Sequence, residues 1–281
     1  MQIATWNVNS IRTRLTQVKG WLEEVSPDLL CLQETKVADP FFPKAEIEAS
    51  GYQVCFHGQK SYNGVALISR HPLKDIRLGL SGELPCDSKA DYFGEQKRVI
   101  SALVNGIRVV NVYVPNGSSL NSEKYTYKIQ WLNCLERYLQ AQSKRDEPLC
   151  ILGDFNIALE DKDIHSPERL TGGIMASDAE RGALQNLLGE RLQDVFRLFE
   201  PGTHHWSWWD YRSGAWARDK GWRIDHIYLC EELLKNAKSC EIHKKVRGND
   251  QPSDHAPVLT DISWPPLDED DSDQGNDLFQ Y

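Results

Sequence analysis

Residue 2 begins an apolar stretch, Ile3-Ala4-Thr5-Trp6, that gives way to Asn7-Val8-Asn9. Leu15, Val18, Trp21, Leu22 and Val25 then recur at three- and four-residue steps, which predicts a helix stopped by Pro27. A short apolar run over 29–32 leads into Gln33-Glu34, and further strand-like runs cover 64–69, 99–104, 107–114 and 149–152. Around 122–141, Ile129, Leu132, Leu135 and Leu139 keep helical spacing. Late strands are expected over 223–229 and 258–262.

Strands outnumber helices in this reading, and several follow one another through short turns. A strictly alternating βαβ sheet has a different rhythm. Two mixed sheets packed face to face, with helices outside, fit better. No internal repeat and no Gly/Ser- or Pro-rich linker divides the chain before residue 264, so 1–264 reads as one domain. Past Trp264 come Pro-Pro and then Asp268, Glu269, Asp270, Asp271, Asp273 and Asp277, with no Lys or Arg. That composition cannot supply a core, and 265–281 is expected to be a disordered acidic tail.

With 40% hydrophobic and 26% charged residues, the chain resembles an ordinary soluble globular protein. It starts without a basic-then-apolar leader, and no uncharged apolar run approaches the roughly 20 residues that span a bilayer. The seven cysteines are odd in number and form no CxxC pair, which suits free thiols in a reducing cytosol. A cytoplasmic location follows as the expectation. The net charge of −9 argues at first against nucleic acid. Six of the acids lie in the tail, however, and a site that grips a cation with carboxylates adds to the same excess. Charge therefore leaves the question of DNA open.

Candidate chemistry gathers where apolar runs end. Trp6-Asn7, Leu32-Gln33-Glu34, Tyr113-Val114-Pro115-Asn116, Gly153-Asp154-Phe155-Asn156 and Ile224-Asp225 each join a strand-like run to an oxygen-bearing side chain. Ser253-Asp254-His255 leads into the last strand. Any one case is an ordinary turn or cap, but so many at strand ends suggest a mounted site. Glu34, Asp154 and Asp254 with the amide oxygen of Asn7 form a hard oxygen set suited to Mg²⁺ or Mn²⁺ rather than zinc. A P-loop and a Gly-x-Ser-x-Gly elbow are both missing from the sequence. Phosphodiester hydrolysis needs an activated water, charge neutralisation and help for the leaving oxygen, which such a set can provide. His255 is then a donor to the phosphate, with Asp225 fixing its tautomer.

Trp6-Asn7-Val8-Asn9, Leu32-Gln33-Glu34-Thr35-Lys36, His57-Gly58-Gln59-Lys60, Gly153-Asp154-Phe155-Asn156, Asp210-Tyr211-Arg212-Ser213, Gly221-Trp222-Arg223-Ile224-Asp225 and Ser253-Asp254-His255-Ala256-Pro257 closely resemble the exonuclease III type of the endonuclease/exonuclease/phosphatase superfamily. The resemblance runs over 1–263 in the same order. It implies a four-layer α/β sandwich of two mixed sheets flanked by helices. It also implies a monomeric DNA-repair phosphodiesterase that cuts duplex DNA 5′ to abasic sites and clears nucleotides or blocking groups from 3′ ends, with one or two Mg²⁺ ions. By the same resemblance Glu34 is the principal metal ligand, joined by Asn7, Asp254, Asp154, Asn156 and His255. Asp154 aligns or deprotonates water or protonates the leaving group, Tyr113, Asn156 and His255 contact the scissile phosphate, and Asp225 orients His255. Asn116 helps to hold the phosphate, and Trp208 and Trp222 line the pocket for a flipped abasic sugar.

The chain departs from the pattern at Asn9, where vertebrate-type relatives carry an acid, and at 115–119, which lacks their inserted arginine. The segment over 157–179 is shorter and less basic than its bacterial counterpart, and the acidic tail is an addition. Taken alone, the spacing of Trp206 and Trp208 puts both on one face of an extended segment, where core packing competes with a functional role. Arg12, Arg14, Lys36, Lys60, Arg98 and the Lys244-Lys245/Arg247 group are candidate grips on backbone phosphates. Two rivals remain in view: a binding protein that has lost catalysis, which would show gaps at Glu34, Asp154, Asp225 or His255, and a phosphatase for inositol phosphates or lipids, which would lack the Asp-Tyr-Arg-Ser and tryptophan segments.

Overall fold

A computed structural model of the chain describes residues 1–265 apart from positions 82, 85, 86 and 143, so the expected tail lies almost wholly outside the described residues. The strands are β1 (Gln2–Asn7), β2 (Leu29–Gln33), β3 (Gln53–His57), β4 (Val65–Ser69), β5 (Lys74–Leu78), β6 (Val99–Val104), β7 (Ile107–Tyr113), β8 (Leu149–Asp154), β9 (Leu192–Asp194), β10 (Asp225–Cys230), β11 (Ala237–Ile242) and β12 (Val258–Ile262). Between them run α1 (Ile11–Val25), α2 (Lys44–Glu48), α3 (Ser88–Gly94), α4 (Glu123–Gln142), α5 (Pro167–Leu170), α6 (Asp178–Leu188), α7 (Val195–Phe199) and α8 (Glu231–Lys235).

The strands form two six-stranded mixed sheets, ordered β11-β12-β1-β2-β4-β3 and β5-β6-β7-β8-β10-β9. Alternation along each strand explains how they pack. Ile3, Leu29, Cys31, Val65 and Leu67 of the first sheet meet Ile100, Ala102, Val109, Cys150, Leu152 and Ile227 of the second in one buried cluster. The opposite face of the first sheet, through Ala4, Trp6, Leu30, Leu32 and Ile68, buries Val18, Trp21 and Leu22 of α1. On the second sheet, Val110, Val112, Ile151 and Tyr228 cover the apolar stripe of α4 (Trp131, Leu132, Leu135, Tyr138, Leu139). The expected four-layer sandwich is the observed fold.

The inward stripe also places the site. Along β1 it reads Ile3, Thr5, Asn7; along β7, Val109, Asn111, Tyr113; along β8, Cys150, Leu152, Asp154; and backwards along β10, Leu229, Ile227, Asp225. Each stripe turns polar at the same end of the sandwich. Register makes this concrete: Tyr113 and Asp225 are both paired with Asp154, so three functional side chains stand in one row across the second sheet. Below the row, Gln33 donates to Asn111 Oδ1 (2.7 Å) and Thr5 Oγ1 (2.9 Å), a buried polar link between the sheets.

Candidate active site

Asn7 is the hinge of the arrangement. Its amide nitrogen donates to Glu34 Oε1 and to Asp154 Oδ2, each at 2.9 Å, which brings two carboxylates from different sheets to one point. Its oxygen accepts from the Asn9 backbone N–H (3.0 Å), so the expected oxygen ligand faces away from the carboxylates in this rotamer. A cation drawing on that oxygen requires the amide turned over. Glu34 also holds Lys36 Nζ at 2.7 Å, and Lys36 reaches Asn9 Oδ1 (2.5 Å). Asn9 Nδ2 then donates to Asp254 Oδ1 (2.9 Å), whose other oxygen takes the indole N–H of Trp208 (2.9 Å).

The second half of the site is built round His255. Its Nδ1 lies 2.8 Å from Asp225 Oδ2, and its Nε2 faces Asp154 Oδ2 at 3.8 Å. Asp225 Oδ2 accepts a second hydrogen bond from Ser207 Oγ (2.7 Å), and Ser207 Oγ in turn accepts from the Asp225 and Ile224 amides. The Ser253 hydroxyl ties the His255 amide to the Asn7 carbonyl. The Asn156 backbone N–H donates to Asp154 Oδ1 (2.9 Å), and Asn116 Nδ2 donates to Asn156 Oδ1 (3.0 Å). Gly153 permits this crowding: at φ +144°, a Cβ there would meet the Val112 carbonyl oxygen at 1.9 Å.

Electrostatics sort these groups into roles. Burial pushes the Asp154 carboxyl up; His255 opposes and Asp225 adds to the rise, leaving it near neutrality at about 7. Burial works against the His255 charge, but Asp225 and then Asp154 outweigh it, and the imidazole stays protonated to about 10. Burial also disfavours ionised Glu34, yet Lys36 and Asn7 hold it below the usual carboxylate range. Tyr113 is raised well above an ordinary phenol by burial and by the Glu34 charge, so it remains a donor. Glu34, Asn9, Lys36 and Asn156 all adopt left-handed backbone, with φ between 45° and 53°. Strain of this kind gathers at functional loops.

Asp154, Asp225 and His255 offer ligand atoms all within 4.8 Å of one another. Asp225 is already spent on His255, so Glu34 and Asp154, converging on Asn7, are the pair with charge to give a hard cation. Asp254 stands one layer away, across Asn9. A cleft of about 430 Å³ runs past Trp208, Trp222, Met175 and Leu170, and another of about 560 Å³ past Tyr113, Asn116, Arg98 and Tyr127. All the expected site residues thus belong to one end of the sandwich.

The Endonuclease/Exonuclease/phosphatase family model matches residues 4–255. The chain belongs to that family. Among curated members, Exodeoxyribonuclease III of Haemophilus influenzae is 35% identical over 93% of this chain and all of its own length. A 3′ phosphatase from Neisseria, solved with a product DNA hairpin, superposes with a TM-score of 0.88 at 40% identity, over 94% of this chain and 100% of that one. An AP endonuclease from Archaeoglobus fulgidus gives 0.86 at 39%, over 94% and 99%.

Within this family member, two sequence readings need correction. Trp206 and Trp208 do not share a face: Trp206 packs with Trp209 and Ala256, whereas Trp208 lies with Met175 and Trp222. The Ser207 and Trp208 amides both donate to the Trp222 carbonyl at 2.9 Å, a bulge that breaks the two-residue period. Arg247 is not a surface cation. It is buried over the Tyr211 and Trp216 rings and donates to the Trp209 carbonyl. Ser207, Asn111 and Lys128 escaped the sequence reading, since each is brought to the site by tertiary contacts rather than by a strand-end motif.

Proposed function

We propose that this chain is a DNA-repair nuclease that hydrolyses phosphodiesters of duplex DNA 5′ to abasic sites and clears nucleotides or blocking groups from 3′ ends, acting as a monomer in the cytoplasm. The observation that carries the reading is the convergence of Asp154, the Asp225–His255 pair, Tyr113 and Glu34 at one open end, beside the cleft walled by Trp208 and Trp222. Names of relatives on both sides of the activity, an exodeoxyribonuclease and an AP endonuclease, support the substrate.

In this reading protonated His255 and the Tyr113 hydroxyl donate to the scissile phosphate, and Asn156 and Asn116 hold its remaining oxygens. Asp154, near neutrality, takes the proton of the attacking water or returns one to the leaving 3′ oxygen. Asp225 keeps the His255 Nδ1–H in place, so that Nε2 faces the substrate. Trp208 and Trp222 form rigid walls that accept a sugar lacking its base at low unstacking cost. Glu34 and Asp154, with Asn156, Asp254 and a turned Asn7 in reach, are residues that would hold Mg²⁺. The bound ion would supply neutralisation of the charge that builds on the phosphate.

The test uses Mg²⁺ and two labelled duplexes, one with an abasic analogue and one with a recessed intact 3′ end. Cleavage of both, abolished by EDTA, restored by Mg²⁺ or Mn²⁺, and reduced by orders of magnitude in Glu34→Ala, is the expected outcome. Full activity in EDTA overturns the metal assignment, and inactivity on both duplexes overturns the substrate.

A further inference from the structure

One buried charge next to the site has no part in the chemistry above. Lys128, on α4, has a fully buried side chain, and its three ammonium hydrogens find three acceptors. These are Glu180 Oε1 (2.5 Å), the Asn156 carbonyl (2.8 Å) and the Asn116 carbonyl (3.3 Å). Glu180, on α6, is equally buried and equally occupied. Its Oε1 also accepts the Met175 amide (3.1 Å), and Oε2 accepts the amide (3.1 Å) and hydroxyl (2.6 Å) of Ser177.

The pair therefore touches three loops at once: the one after β7 with Asn116, the one after β8 with Asn156, and the one before α6 with Met175. The side chains on these loops meet each other as well. Asn116 Nδ2 donates to Asn156 Oδ1 (3.0 Å) and approaches Met175 Sδ (3.7 Å). Met175 adopts left-handed backbone, φ +67°, with its carbonyl on the Ala158 amide (2.7 Å). Apolar packing of the same volume can hold loops together at least as stably as a buried ion pair. Packing cannot, however, give two loop carbonyls a fixed donor.

We propose that Lys128 and Glu180 form a positioning pair that fixes Asn116 and Asn156 relative to Asp154, and so governs turnover rather than capture of the substrate. The inference rests on the phosphodiesterase reading. Neither charged group reaches solvent, so neither grips DNA directly. A shift of about 1 Å in Asn156 or Asn116 can nonetheless cost about 100-fold in rate through misalignment.

Four variants decide it: Lys128→Arg, Lys128→Met, Glu180→Gln and the double change Lys128→Met/Glu180→Gln. For each, the melting temperature, the affinity for uncleaved duplex in EDTA, and kcat in Mg²⁺ are measured. Lys128→Met and Glu180→Gln should lose kcat on the order of 100-fold with DNA affinity kept, and Lys128→Arg should recover part of the loss. The double variant, rid of its lone buried charge, should regain melting temperature while kcat stays low. Recovery of turnover together with melting temperature makes the pair a folding element and overturns the proposal. So does a loss confined to DNA affinity. Bis(4-nitrophenyl) phosphate assayed alongside separates the two readings: wild type active on it but not on DNA removes the DNA substrate, while the variant series still decides the pair.

Discussion

Asp225 works through one oxygen. Oδ2 accepts from both His255 and Ser207, whereas the buried Oδ1 has no hydrogen-bond partner among the described residues. The hydrogen bonds that Asp225 makes toward the reacting groups therefore run through His255, and the two should behave largely as one unit. Asp225→Asn, His255→Ala and the double variant are expected to have similar residual rates. A double variant whose loss equals the product of the single losses would reject the coupling. At this scale the sequence was informative where a polar residue ends an inward-facing apolar stripe, as at Asn7, Tyr113, Asp154 and Asp225. It was silent on Ser207, which sits between tryptophans and looks like a loop residue until the bulge turns its hydroxyl onto Asp225.

Among the elements, the strands that the hydrophobic pattern identified are central ones, and those it passed over are β3, β5, β9 and β11, the four sheet edges. An edge strand buries little and carries charge, as Lys74, Asp75 and Arg77 do in β5, so it shows no apolar run. One of these edges is anchored by ions instead. Buried Asp163 accepts from Arg223 Nε (2.7 Å) and from Arg197, while Arg223 spans to Asp194 of β9 (2.7 Å). Arg223 can only donate, so His226 Nδ1 must accept from it (3.0 Å), and Nε2–H goes to the Ile157 carbonyl (2.9 Å). Burial pushes the Asp163 carboxyl up, but the arginines beside it, Arg223 foremost and then Arg197, help to reverse this and the group ends below its ordinary value. A depressed carboxyl contributes stability that is complete above its unfolded pKa of about 3.9 and is lost as pH falls through the folded value. Asp163→Asn should thus cost about 3–5 kcal/mol at pH 7 by taking one partner out of a buried ion-pair network. Its unfolding free energy should also fall less steeply than that of wild type below about pH 4. Urea titrations from pH 7 to pH 3 measure both, and parallel curves for the two proteins would remove Asp163 as a source of acid sensitivity.

For the whole molecule, the difficulty is how a chain of net charge −9 meets a polyanion. Several candidate cations are already committed: Lys36 to Glu34, Arg14 to the Asn9 and Pro252 carbonyls, and Arg98 to the Tyr113 ring and carbonyl. Arg12, Lys60, Lys124 and Lys245 are exposed, as are Arg212, Arg218 and Lys220 beside the tryptophan cleft, and these cations are placed to supply long-range attraction. Six acids lie past residue 265 in the sequence. We infer that the acidic segment acts as an internal phosphate mimic that weakens DNA binding. Removal of 265–281 should then tighten binding of duplex in EDTA at low salt. The gain should shrink as salt rises, because a Debye length of about 10 Å at 0.1 M screens the segment from its targets. The salt slope separates this from a change in the site itself, since a lost competitor steepens the fall of affinity with salt. Fluorescence anisotropy on full-length and shortened protein across a salt series measures both quantities. Identical affinities at every salt concentration would mean that the six acids never reach the binding face.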